Sequence, residues 1–197
     1  MTELQDYIET KLREELSTWK EQDIYAISFF VCANEAYEYN GYSNVTEFAI
    51  SYNTEKDCGG AGAMDEERWN YAFWRQDEKP ILVADGKNRG MDLLFSWYKE
   101  NGIENIGYED PSACYNEKMQ YVGKGPEGYY QLLALITQIA QKLQESGFIR
   151  EQFGKELPIV IHDLEYSWYT IEATRKANPA GQAAVFLAAM KQLGLVD

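Results

Sequence analysis

The sequence predicts an α+β fold: a mainly antiparallel sheet of about five strands flanked by helices, in the order α-ββββ-α-α-β-α-α. Three observations carry that prediction. Strand-like stretches crowd residues 24–85, where apolar side chains alternate or run unbroken. Helical stretches, with apolar residues three and four apart, lie outside that region, one before it and the others after it. The strand-like run of the C-terminal half, "LPIVI", is short and β-branched. Strands grouped together and helices grouped together separate α+β from the regular alternation of a parallel α/β sheet.

Each element has its own signal. Thr2 and Gln5 make a T-x-x-Q capping box, opening a helix with Leu4, Tyr7, Ile8, Leu12, Leu16 and Trp19 on one face. "DIYAISFFVCA" is apolar or small on both faces: Ile24, Ala26, Ser28, Phe30 and Cys32 on one, Tyr25, Ile27, Phe29 and Val31 on the other. A strand of that kind is central in its sheet. "NEAYEYNGYSN" is turn chemistry around Asn40-Gly41. "VTEFAISYN" returns antiparallel, with Phe48, Ile50 and Tyr52 on one face. After the loop "TEKDCGGAGAMDEE", the stretch "RWNYAFWRQ" predicts a third strand, with Trp69, Tyr71 and Phe73 on one face and Trp74 on the other. "KPILVAD" is a short fourth.

"MDLLFSWYKENG" is a helix closed by Asn101-Gly102, residues that tolerate positive φ. Residues 103–124 are irregular and polar. Pro126 opens a long helix with Tyr129, Leu132, Leu133, Ile136, Ile139 and Leu143 on one stripe, and Gly147 ends it. Residues 157–161 predict the fifth strand. Asp163 as N-cap and Glu165 in the first turn then suit a helix over residues 165–176, with Arg175 and Lys176 in its last turn. Asn178 as N-cap and Pro179 at the first helical position start the final helix, "AGQAAVFLAAMKQLG". No repeat, low-complexity run or linker interrupts the chain, so one α+β domain over residues 1–197 is expected.

Composition bounds the function. Hydrophobic residues at 45%, charged ones at 25% and aromatics at 14% support a sizeable core and exclude a disordered acidic tail. The net charge is −14, and 20 of the 32 acidic side chains lie in residues 1–100. Nucleic acid and anionic membrane would repel such a chain, and a basic protein would attract it; solubility alone explains acidity equally well. Cys32, Cys58 and Cys114 form no C-x-x-C, so neither a zinc ribbon nor a thioredoxin-like site is indicated. No apolar stretch follows Met1, and no run approaches the ~20 apolar residues of a membrane span. A reducing cytoplasm is the expected compartment.

The single histidine, His162, follows the apolar run and is followed by Asp163 and Glu165. A carboxylate- or metal-dependent hydrolase would use these three with acids from elsewhere in the chain. Against that, His162 and Asp163 point to opposite faces of an extended strand, and an acid before a helix already has a capping role. "CGGAGAM" and "GKGPEG" lack the Lys-Ser/Thr of a nucleotide-binding loop, and no G-x-S-x-G is present. Cys58, beside Gly59-Gly60, reads as a bystander thiol. No cofactor is expected.

"NEAYEYNGYSN" and "DEERWNYAFWRQ" mix aromatics with acids, the chemistry of a protein interface. In that reading Glu35, Glu38, Asp65, Glu66 and Glu67 steer a basic partner, while Tyr37, Tyr39, Tyr42 and Trp69 anchor it. The alternative for the same aromatics is core packing and cross-strand pairing.

"RWNYAFW" after an acidic loop, "LPIVIHDLEY" and "ATRKANPAGQAAVFL" together give a layout that resembles an uncharacterised bacterial domain family of about this length. Its members often occur near polymorphic toxin genes and have been proposed as immunity proteins. The resemblance rests on Arg68-Trp69, on His162-Asp163-Leu164-Glu165, and on Thr174 with Asn178-Pro179. It implies no active site; it implies stoichiometric binding that occludes a toxin domain, and an acidic surface would complement a basic one. The sequence is therefore compatible with three functions: a non-enzymatic module that masks a basic protein, a hydrolase at His162, Asp163 and Glu165, and a self-associating structural or regulatory module. The oligomeric state is open.

Overall fold

The computed structural model describes residues 2–34, 45–84, 88–103 and 127–196. Helix α1 (Glu3–Leu16) starts as its cap requires, with Thr2 Oγ1 accepting from Gln5 N at 3.2 Å. The strand that is apolar on both faces, β1 (Ile24–Asn34), is central. It pairs antiparallel with β2 (Val45–Thr54) and parallel with β4 (Ile159–His162), and β2 pairs antiparallel with β3 (Lys79–Leu82). The order across the sheet is β3-β2-β1-β4, four strands among the described residues rather than about five.

The missing strand is "RWNYAFWRQ". It forms a short helix α2 (Glu66–Trp69) and a 3-10 turn (Tyr71–Phe73). Asn70 Oδ1 accepts from Ala72 N at 2.9 Å and turns the chain, the local competition by which Asn disrupts extended backbone. Carbonyls that a ladder would need go to side chains instead. Arg68 O accepts from the Tyr25 hydroxyl (2.5 Å) and from Trp74 Nε1 (2.8 Å), and Trp69 O accepts from the Tyr166 hydroxyl (2.5 Å). Trp69, Tyr71 and Trp74 are buried and Phe73 is exposed, so the predicted alternation fails.

The two faces of the sheet bury two clusters. On one face Ile27, Phe29, Val31, Phe48, Ile50, Ile159 and Ile161 meet α1, α3 (Arg89–Glu100) and α4 (Glu127–Glu145). The predicted stripes are the ones buried there: Leu4, Ile8, Leu12 and Leu16 from α1, and Tyr129, Leu132, Leu133, Ile136, Ile139 and Leu143 from α4. Helix α3 ends as expected at Asn101-Gly102, with Gly102 at φ +67°. Gly147 ends the turn after α4, and α5 (Phe148–Phe153) follows it directly.

The second face holds Ala26, Val160 and the aromatic plug of Trp69, Tyr71 and Trp74 under α7 (Ala184–Gln192). A bulge between Ile24 and Ala26 places one extra residue in β1. Tyr25 and Ala26 consequently both pack in this second cluster, although a regular strand would separate them.

Helix α6 (Trp168–Ala177) starts later than expected and is not capped by Asp163. Its N-cap is Ser167, whose N–H donates to Thr170 Oγ1 at 3.0 Å. Asn178 is also reassigned: it is the C-cap of α6, not the N-cap of the last helix, which starts at Ala184. Its amide does the work of a missing strand. Asn178 Oδ1 accepts from Ile159 N (3.0 Å), and Nδ2 donates to Ile159 O (2.8 Å) and Thr174 O (2.7 Å). Thr174 Oγ1 accepts from Ile161 N (2.8 Å) and donates to Ile161 O (3.1 Å). The outer edge of β4 is thus saturated by side chains, and no further strand can add there.

Candidate functional site

The strand pairing places His162 opposite Phe30 of β1, on the second face of the sheet. Its surroundings dictate its chemistry. Nδ1 is 2.8 Å from Asp163 O, which can only accept, so Nδ1 carries the proton. Nε2, 2.7 Å from Ser28 Oγ, therefore accepts from that hydroxyl. A serine hydroxyl donating to a histidine is the geometry of an activated nucleophile. Here, however, both side chains have zero exposure, and Tyr71, Phe30, Trp74 and Tyr166 enclose the imidazole at ring-centroid distances of 4.8, 5.6, 5.6 and 6.1 Å. Burial lowers its pKa to about 4, so the ring is neutral and joins β1 to β4.

Asp163 and Glu165 do not join His162 in one site. Asp163 Oδ1 accepts from Leu164 N at 2.7 Å, and burial raises its pKa, with Glu165 adding to the rise. Among the described residues no group of three or more His, Cys, Asp or Glu side chains is placed to hold a metal ion.

Glu165 instead enters a surface groove. The groove has a volume of about 340 Å³ and is built from three segments: Glu66, Asn70 and Tyr71; Leu164, Glu165 and Tyr166; Met190, Leu193 and Leu195. Leu164, Leu193 and Leu195 are 68%, 38% and 43% exposed. The helix end explains the last wall. Leu195 N donates to Met190 O and Gly194 N to Lys191 O, with Gly194 at φ +74°: a Schellman motif, in which the residue after the glycine folds back over the helix. The floor is fixed by the Tyr166 hydroxyl on Trp69 O and by Tyr71, which stacks on Phe30 at 5.2 Å and bonds Glu78 through its hydroxyl. Neither Glu66 nor Glu165 is ion-paired among the described residues, and no Lys or Arg lines the groove. A second groove, between α4 and α6 beside the exposed Trp168, has a different rim: Glu172 there pairs with Arg175 and Lys176.

Of the residues expected to bind a partner, Glu35, Tyr37, Glu38, Tyr39 and Tyr42 lie outside the described residues, as do the Asn40-Gly41 turn, Cys114 and Pro126. Asp65, Glu66 and Glu67 are exposed at the start of α2. Trp69 is corrected: it is a core residue, 3% exposed, with Nε1 donating to Ala63 O at 2.8 Å and its ring against Tyr25 and Phe186. The structure therefore brings Glu66, expected to steer a partner, next to Glu165, expected in a hydrolytic site. It adds Leu164, Met190, Leu193 and Leu195, which sequence reasoning missed. Only the apolar Leu164 inside an otherwise polar turn, and the apolar Leu195 after Gly194, signalled them.

Searches of family models, of curated proteins and of solved structures found no match to this chain. No helix among the described residues is long and apolar enough to cross a membrane.

Proposed function

We propose that this chain is a non-enzymatic protein-binding module that acts in the cytoplasm by covering the functional surface of a basic protein. The family resemblance makes that partner a toxin domain and this chain its immunity protein. One observation carries the reading: the surface groove combines exposed leucines with carboxylates that no cation pairs among the described residues. Aromatic and aliphatic groups contribute most of the binding energy at such surfaces, and unpaired charges around them raise the association rate. The Ser28–His162 pair, the most catalytic-looking contact among the described residues, is sealed from solvent and supports strand pairing instead.

The test is capture of partners from the source cell with the full chain, followed by reconstitution of the complex from purified components. The reading expects a one-to-one complex with a basic protein whose association rate falls steeply with added salt. A captured partner of acidic or neutral surface, with an association rate indifferent to salt, would remove it.

A further inference from the structure

The groove is small and chemically one-sided. At about 340 Å³ it lies at the low end of ligand-pocket sizes, with room for one or two large side chains. Its exposed apolar surface is Leu164, Leu193 and Leu195, over the buried Met190, and its charges are Glu66 and Glu165. The Tyr166 hydroxyl bond to Trp69 O holds the floor before any ligand arrives, so binding costs little reordering.

We infer that this groove takes a short cationic–apolar segment of a partner protein, with one or two large apolar side chains between Leu164 and Leu195 and flanking Lys or Arg over Glu66 and Glu165. The inference rests on the proposed function and names its contact site. Charge complementarity selects the occupant: among the described residues neither carboxylate has a cation partner, Glu66 accepting only the neutral Asn70 Nδ2 at 2.9 Å, and a chain of net charge −14 meets a second copy of itself with like charge.

The experiment selects random peptides displayed on phage against the full chain at low salt, then resynthesises the best ones with a fluorescent label for anisotropy titrations. Enriched sequences should pair large apolar residues with Lys or Arg. Their affinity should fall roughly tenfold or more for Leu164→Asp, an exposed position, and for the double variant Glu66→Lys/Glu165→Lys. The double variant should also flatten the salt dependence. Gly194→Ala gives a separate check, since it strains the turn that carries Leu195 while leaving Glu66 and Glu165 in place. Circular dichroism on each variant verifies that the fold is retained.

Peptides that bind all three variants like the wild type would overturn the assignment of the groove and leave the protein-binding reading standing. Enrichment of acidic peptides, or of none while a basic protein partner still binds, would overturn the cationic–apolar segment. Light scattering that shows a dimer dispersed by Leu164→Asp would replace the partner with a second copy. Failure of every peptide and every basic protein to bind would sink both the groove assignment and the proposed function.

Discussion

Acidification to about pH 5 should destabilise this protein through His162, and the size of the effect follows from its environment. The imidazole is fully buried among Phe30, Tyr71, Trp74 and Tyr166, with its two nitrogens already bonded to Ser28 and the Asp163 carbonyl. Its pKa is about 4 in the folded chain against an ordinary 6.5. The folded pKa is depressed, so below 6.5 the unfolded chain takes up a proton that the folded chain refuses. The stabilisation is complete above pH 6.5 and disappears as the pH falls to about 4. The full span is on the order of 3 kcal/mol, and about 2 kcal/mol of it is lost between pH 7.5 and pH 5.

Asp163 contributes with the opposite sign, because its folded pKa is raised, while Glu9 and Glu55, whose pKa values are lowered, act only at more acid pH. The comparison is therefore with His162→Gln, which does not titrate and leaves these neighbours in place. Urea denaturation of both proteins at a series of pH values gives the difference directly. The wild type should lose about 2 kcal/mol more than the variant on going to pH 5. Parallel pH profiles for the two proteins would refute the assignment. Nitrogen NMR offers a second readout: the ring should remain the neutral Nδ1–H tautomer at pH 5.

Other substitutions probe the fold and the groove. Asn178→Ala strips the partners from Ile159 N and Ile159 O at the buried edge of β4 and should cost about 3–4 kcal/mol in urea denaturation, far more than a helix-end residue normally does. Gly90→Ala should destabilise by about 1–3 kcal/mol, although alanine usually favours a helix. A Cβ there would stand 2.9 Å from Tyr7 Cε1 and 3.0 Å from Leu82 Cδ2, between α1, α3 and β3; thermal melting gives the sign. Leu164→Asp should leave thermal stability within about 0.5 kcal/mol of wild type while weakening partner binding, which separates a surface role from a core one.

Much of the architecture was legible in the residues. The apolar or small residues on both faces of residues 24–33 marked a central strand, and the stripes of α1 and α4 marked buried helix faces. These are local periodicities that follow from strand and helix geometry alone. "RWNYAFWRQ" misled for a physical reason. Its aromatics alternate as in a strand, but Asn70 turns the backbone and Tyr25, Trp74 and Tyr166 take its carbonyls. Asn178-Pro179 carried a helix-start signature, yet the Asn178 amide completes the edge of β4 instead.

The candidate site divides along the same line. The acidity of Glu66 and Glu165 and the solitude of His162 were properties of the sequence itself, and one histidine already excluded any chemistry that needs two. That His162 is sealed, that Trp69 is core, and that residues 66–71, 164–166 and 190–195 meet in one groove were decided only by the tertiary structure. Sequence period specifies which face of an element is apolar. It does not specify which distant side chain will satisfy a given backbone carbonyl or cover a given ring, because those partners are chosen by packing between elements rather than within them.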